Sequence, residues 1–146
     1  MALLCDIIVA ADTSSFSFGE VKRGLLPGNG GTQRLSRRIG KARALEMILT
    51  GKTVTATDAL SFGLVEYCVP AEQLVPKCLE LTAAMAQNAP LAVRMAKSAI
   101  HRGADMALAD AIQLEQDLAC FLYTTDDAKE GPRAFLEKRP PVWQGR

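Results

Sequence analysis

The stretch GEVKRGLLPGNGGTQRL, residues 19–35, decides how the rest of the sequence is interpreted. It contains one carboxylate, Glu20, then a Pro27-Gly28 turn and two further glycines, Gly30 and Gly31, before a helix-like run. A glycine loop that enters a helix points backbone N–H groups at whatever lies in front of it. Such a loop can cradle a phosphate, shape a catalytic pocket or turn a corner.

The two common phosphate-binding motifs do not fit this loop. Walker A needs a Lys-Ser/Thr pair after its last glycine, where this chain has Thr32-Gln33, and G-x-G-x-x-G needs a glycine at Gln33. Two interpretations of the glycines remain, a closely packed corner and a pocket lined by backbone. Glu20 is correspondingly either a solvated acid paired with Lys22 or Arg23, or a carboxylate at an apolar pocket that can exchange protons.

The composition is that of an ordinary globular chain. The 146 residues are 49% hydrophobic and 23% charged, with a formal net charge of +1, so no overall basic field favours nucleic acid or an anionic membrane. The single histidine, His101, and four scattered cysteines predict no metal site. They predict instead reduced, mostly buried thiols, which fits a bacterial cytoplasm or a mitochondrial matrix. No apolar run reaches the ~20 residues of a membrane span.

Apolar spacing, caps and breakers predict short strands followed by helices. The composition shifts near Pro70 from mixed α/β to all-helical, which predicts regions 1–69 and 70–146. The segment Leu3–Ala11 is typical of a strand buried on both faces, which needs neighbours, so we expect an N-terminal part to be missing or supplied by another chain. The further predicted elements are strands 16–18 and 64–69 and helices 32–39, 41–49, 55–62, 71–88, 90–102, 108–122 and 127–139.

Several motifs in a fixed order resemble the enoyl-CoA hydratase/isomerase (crotonase) family. They are CDIIVA at 5–10, an acid ahead of LPGNGGTQRL at 26–35, the pattern T-G-x-x-x-x-A-x-x-A at 50–59, GLV at 63–65, and AFLEKR at 134–139. The similarity extends over essentially the whole chain. It implies an α/β fold, mostly helical in this chain: the C-terminal portion of a β-β-α spiral, followed by a helical region that forms trimers or dimers of trimers.

The resemblance also implies a function and site residues. Glu20 matches the second of the family's two catalytic glutamates, Gly28 lies in the loop that lines the same pocket, and Phe135 and Lys138 match positions that touch the acyl-pantetheine and nucleotide ends of CoA. The implied reaction is hydration of 2-enoyl-CoA to 3-hydroxyacyl-CoA in fatty-acid or amino-acid catabolism, with the CoA thioester as substrate and no cofactor. Ser17 and Gly19 stand where the family often has glycine and proline, which bears on how Glu20 is presented.

The first catalytic glutamate and both oxyanion amides of the family are expected upstream of Met1, so we expect this chain alone to lack a complete active site. Alternatives are an enoyl-CoA isomerase and a non-catalytic assembly partner of a full-length family member. RNA binding is a weaker alternative, because a basic cluster on one helix more often forms a solvated face. That cluster comprises Arg34, Arg37, Arg38, Lys41 and Arg43.

Overall fold

The computed structural model describes residues 2–146, which form two compact units. One extends to Glu80 and the other comprises Leu81–Arg146, so the boundary lies inside a helix. The division predicted at Pro70 rests on a change in composition and gives regions 1–69 and 70–146. It stays a prediction. Among the described residues no helix is both long and apolar enough to cross a bilayer.

The described residues of the first unit form four short strands, three complete helices and the start of a fourth. Short 3-10 turns lie at Ala2–Leu4, Glu20–Arg23 and Ala71–Gln73. β1 pairs in parallel with β4, with Ala10 opposite Cys68, and β2 pairs antiparallel with β3, with Phe16 opposite Val54. The elements are β1 (Val9–Ala11), β2 (Ser15–Ser17), α1 (Gly31–Ile39), α2 (Lys41–Thr50), β3 (Thr53–Thr55), α3 (Ala56–Ser61) and β4 (Tyr67–Val69).

Local signals explain most of the boundaries in this unit. Thr55 caps α3 by accepting a hydrogen bond from the Asp58 N–H at 3.1 Å, as the Thr-x-x-Asp pattern predicts. Gly40 ends α1, and Gly51, at φ 58°, ends α2 in the left-handed conformation. Thr32 is not the cap of α1, because the helix begins one residue earlier, after Gly30.

The predicted first strand is too long. Only Val9–Ala11 is extended, because β4 is the strand it pairs with and β4 offers three partners. Residues Ala2–Leu4 form a 3-10 turn, and Leu4 and Ile7 are exposed rather than buried on both faces. The core of the unit lies between β1, α1, α2 and α3; its most buried large side chains are Leu35, Met47 and Val65.

The helix α4 (Leu74–Ala86) contains the boundary, and the second unit adds α5 (Pro90–Gly103), α6 (Leu108–Tyr123) and α7 (Asp126–Leu136). Within that unit α5 packs against α6, and α6 contacts α7. Pro90 occupies the first turn of α5, where its missing N–H costs no hydrogen bond.

The C-terminal segment, residues 140–146, is fastened to α7 by carboxylates. Asp127 is buried and accepts hydrogen bonds from the N–H groups of Gln144, at 2.6 Å, and Gly145, at 3.0 Å. Glu130 binds the Arg139 guanidinium at 2.6 and 2.9 Å and also accepts the Val142 N–H. These bonds lower the pKa of Glu130 to about 2, with the Arg139 hydrogen bond as the largest cause.

The four cysteines form no disulfide, but the prediction that they are mostly buried is wrong. Cys5, Cys78 and Cys120 are exposed and Cys68 is half-buried. Cys120 lies on α6, which also leaves the apolar side chains of Leu108, Ile112 and Phe121 exposed, so apolar spacing in this helix does not translate into burial.

Candidate active site

Glu20 is the first residue of the 3-10 turn that follows β2. The turn is closed by Gly24, at φ 73°, whose N–H donates to the Val21 carbonyl, and by the Leu25 N–H, which donates to the Glu20 carbonyl at 3.1 Å. A left-handed residue is needed at this point, and glycine adopts that conformation without strain. The backbone therefore fixes where the Glu20 side chain starts.

The Glu20 carboxylate is not the solvated ion pair that its neighbours Lys22 and Arg23 suggested. Its Oε2 atom is buried and has no hydrogen-bond partner. Lys22 instead lays its side chain over Gly51, where a Cβ would come within 2.7 Å of the lysine Cε. A buried polar atom without a partner is unfavourable to folding, so its presence needs a reason outside the stability of the fold.

The glycine loop, residues 27–31, lies beside the same cavity as the Glu20 side chain. A Cβ on Gly31 would lie 2.7 Å from Pro27 Cβ and 3.0 Å from Phe18 Cε1, so no side chain fits there. Gly30 adopts φ +79° and lies under the Arg34 guanidinium. Gly28 differs, because its nearest neighbour is the Leu26 carbonyl at an ordinary 3.8 Å. Both sequence interpretations of the glycines thus hold, close packing at Gly31 and a pocket wall at Gly28.

These segments enclose a cavity of about 550 Å³. Among the described residues around it, Glu20 is the only carboxylate, and most of the other side chains are apolar. The wall includes Leu3, Ile8, Phe16, Phe18, Pro27 and Leu64, with backbone from residues 28–31. A cavity of this size takes a small organic group, and its polar contacts come from Glu20, Ser17, Asn29 and Arg34.

Glu20 and Gly28, expected in one site from the sequence, both line this cavity. Phe135 and Lys138 belong to the second unit, at the end of α7. Phe135 is 83% exposed, and Lys138 is exposed with φ 52°, in the left-handed region. The Lys138 N–H donates to the Phe135 carbonyl and the Arg139 N–H to the Ala134 carbonyl, a helix ending at which glycine is usual.

A second, more open groove of about 700 Å³ lies within the second unit. Its lining includes Met85, Asn88, Val93, Arg94 and Trp143, and contains no carboxylate among the described residues. The Trp143 Nε1–H donates to the Gln87 carbonyl at 2.7 Å, so the ring is held in place. The groove offers no acid or base, and the Glu20 cavity is therefore the candidate active site.

The sequence interpretation missed the contacts of two arginines of the basic cluster. Arg34 is exposed, as a solvated face predicts, but donates to the Asn29 carbonyl, whereas Arg38 is half-buried and binds the Leu64 carbonyl and Glu66. It also missed Phe18 and Leu64 as cavity residues. The sequence offered a signal for Phe18 alone, because it lies two residues before Glu20.

Comparison with known proteins gives a consistent result. The sequence model of the family described as "Enoyl-CoA hydratase/isomerase" matches residues 1–146. The chain is 43% identical over 146 residues to a probable enoyl-CoA hydratase of Mycobacterium leprae, and 40% identical over 146 residues to a probable mitochondrial enoyl-CoA hydratase of Dictyostelium discoideum. The crystal structure of the enoyl-CoA hydratase from Bacillus anthracis superimposes with a TM-score of 0.96 at 42% identity.

These matches differ in how much of each chain they cover. They take in 100% of this chain but 57% of the M. leprae protein and 53% of the D. discoideum protein, and 99% of this chain but 56% of the B. anthracis chain. The crotonase-type α/β fold is thereby confirmed for a part of the relatives' length. The expectation that this part is the C-terminal one is not confirmed.

Proposed function

Because the chain belongs to the enoyl-CoA hydratase/isomerase family, we propose that it supplies the acid/base Glu20 for the hydration of 2-enoyl-CoA thioesters to 3-hydroxyacyl-CoA. The observation that carries this proposal is the Glu20 Oε2 atom, buried beside a cavity and without a hydrogen-bond partner. An oxygen that the protein leaves unpaired is available to a ligand.

Hydration adds a hydroxyl group to the β-carbon of the enoyl thioester and a proton to its α-carbon. The proposed role of Glu20 is the second of these steps, with the protonated carboxyl group delivering its proton to the α-carbon and taking one back in the reverse reaction. Negative charge develops on the thioester oxygen meanwhile, and donors to that oxygen contribute about 3–4 kcal/mol each. The proposal does not assign the donors to the thioester oxygen to any described residue. Nor does it assign the acid/base group that activates water.

The cavity suits an acyl group. Its apolar side chains, among them Phe16, Phe18 and Leu64, can remove the hydrocarbon of an acyl group from water. The absence of a side chain at Gly31 lets Pro27 and Phe18 pack closely in this wall. We propose Gly28 as a backbone contact to the substrate, since it lines the cavity without crowding.

Phe135 and Lys138 are proposed as contacts to the CoA part of the substrate. An exposed aromatic side chain is suited to pack against the acyl-pantetheine part, and an exposed ammonium group to pair with a phosphate at the nucleotide end; both side chains are exposed. The exposed apolar side chains of the second unit also favour an oligomer, which we propose to be a homotrimer or a dimer of trimers. They include Ile100, Leu108, Ile112, Phe121 and Leu136.

The experiment compares Glu20→Gln with Glu72→Gln in the full-length protein, using crotonyl-CoA and the loss of its enoyl absorbance. Glu72 is an exposed acid of the first unit and serves as the matched control. We expect Glu20→Gln to lower kcat by ~10²–10⁴ without abolishing CoA binding, and Glu72→Gln to have no effect. An unchanged kcat in Glu20→Gln would remove this residue from the mechanism.

Two further arms separate the alternatives. Turnover of a 3-enoyl-CoA without hydration would identify an isomerase that uses the same carboxylate. Absence of turnover, combined with stoichiometric assembly into trimers of a complete family member, would support the assembly partner, which the exposed apolar helices favour.

A further inference from the structure

The side chain of Arg34 folds back over the glycine loop that precedes its own helix. Its Nη1 donates to the Asn29 carbonyl at 3.0 Å, and a Cβ built on Gly30 would lie 2.0 Å from the same nitrogen. Asn29, Gly30 and Arg34 all line the Glu20 cavity. Together with the close packing of Gly31 against Pro27 and Phe18, this contact restrains where the backbone of the loop lies.

Arg38, one helical turn later, holds a different part of the same wall. Its Nε donates to the Leu64 carbonyl at 2.7 Å, and its Nη2 binds Oε1 of Glu66. The other oxygen of Glu66 accepts the Ile8 N–H at 2.7 Å. Leu64 and Ile8 are buried and both line the cavity. One guanidinium therefore adds a restraint on two wall residues, beside the backbone bonds from Leu64 N–H to the Ala59 carbonyl and from Glu66 N–H to the Ile8 carbonyl.

The Glu20 Oε2 atom has no hydrogen bond that orients it, so its place depends on the walls that enclose it. We propose that Arg34 and Arg38 are positioning residues, which hold the glycine loop and the Ile8–Leu64 wall where Glu20 meets the α-carbon of the substrate. This inference rests on the proposed function of Glu20. Reacting groups must be held within a fraction of an ångström, and arginine forks supply such restraint.

The first test measures the accessibility of Glu20 without any need for turnover. Carboxyl groups are labelled with a carbodiimide and an amine, and labelling is read by mass spectrometry in R34Q, R38Q and R37Q. R37Q is the matched control, because it removes the same charge from the same helix. Arg37 bonds Gln33 one turn back and does not line the cavity. We expect Glu20 labelling to rise about fivefold or more in R34Q and R38Q, and to stay unchanged in R37Q.

The second test is kinetic, in the full-length protein with crotonyl-CoA. R34Q and R38Q should lower kcat by ~10–100-fold while KM stays within about twofold, because the acid is misplaced rather than the substrate lost. R38K, which can still pair with Glu66, should recover part of kcat and remains informative if R38Q fails to fold. A general loss of stability would not produce this division between kcat and KM.

The two proposals fail in different ways. A wild-type protein without turnover on enoyl thioesters overturns the proposed function, and the labelling result alone then decides on the positioning residues. Unchanged Glu20 labelling in both R34Q and R38Q, or an equal rise in R37Q, overturns the present inference even if the wild-type protein hydrates crotonyl-CoA.

Discussion

The two compact units treat a buried carboxylate in opposite ways. In the first unit, Oε2 of Glu20 is buried with no hydrogen-bond partner. In the second, Asp127 is 4% exposed, and each of its oxygens accepts a backbone N–H of the C-terminal segment. A satisfied carboxylate stabilises the fold, whereas an unsatisfied one costs stability. This difference in geometry is what the proposed role of Glu20 as a reactive acid, and of Asp127 as a structural one, predicts.

The largest stability effect expected from this contrast is that of Asp127→Ala. It leaves two backbone donors without their acceptor and should lower the free energy of unfolding by about 2–3 kcal/mol. Glu20→Gln should change the same quantity by less than about 0.5 kcal/mol, or raise it, although it is the substitution expected to remove turnover. Thermal unfolding of both variants measures the difference.

Asp126→Ala is the matched control for this experiment. Asp126 is the adjacent acid on α7, exposed, with a 3.4 Å ion pair to Arg146, and such pairs contribute little. If Asp126→Ala and Asp127→Ala lose equal stability, the structural importance of the buried carboxylate is refuted. If Glu20→Gln is as destabilising as Asp127→Ala, the two carboxylates do not differ in the way proposed.

This contrast also marks the limit of what the sequence predicts. Local signals were sufficient for the Thr55 cap, for the glycines that end α1 and α2, and for the helix that begins at Pro90. The family motifs were sufficient to nominate Glu20 beside the glycine loop. Each of these features depends on residues within a few positions of one another.

The features that the sequence did not predict depend on distant residues. Ile8 meets Glu66 across 58 positions and Arg38 meets Glu66 across 28, so neither spacing nor periodicity indicates them. The strand around Val9 was predicted too long because its length is set by its partner, β4, and not by its own apolar run. The predicted roles of Phe135 and Lys138 remain predictions.

Lys138 extends the comparison to the backbone, because at this position the second unit contains an unfavourable conformation. It occupies a left-handed position, φ 52°, at which glycine would be unstrained. Lys138→Gly should therefore raise the free energy of unfolding by about 0.5–1 kcal/mol, and should raise KM for acyl-CoA if the ammonium group binds the nucleotide end. Thermal unfolding and steady-state kinetics measure the two effects.

Lys138→Ala separates the backbone from the charge. It keeps the left-handed strain and loses the ammonium group, so KM should rise without any gain in stability. Lys129→Ala, at an exposed lysine of α7, controls for the loss of charge alone. A gain in stability for Lys138→Gly with no change in KM would show that this lysine has no part in binding.

The smallest expected effect concerns the acid that fastens the C-terminal segment. The Arg139 hydrogen bond and the Val142 N–H hold the pKa of Glu130 at about 2, below its ordinary 4.5. Between these values the unfolded chain binds a proton that the folded chain does not, so folding is stabilised above pH 4.5 and loses that contribution as pH falls toward 2. Hydrogen bonds from Arg133 and then Arg139 lower the pKa of Glu137 as well, so the two acids act in the same direction.

Thermal unfolding measured across this pH range tests the assignment, with Glu130→Gln compared with wild type. At neutral pH the variant should have a lower Tm than wild type, and its Tm should fall less on acidification. The two curves of Tm against pH should therefore converge below the pKa of Glu130 in the folded protein. The effect is small because the group is near the surface, where solvent screens its ion pair. Glu20→Gln should leave the acid slope from Glu130 unchanged, because Glu20 takes part in none of the hydrogen bonds that lower the pKa of Glu130. Parallel curves for wild type and Glu130→Gln would show that the attachment of the C-terminal segment to α7 does not depend on the charge of Glu130.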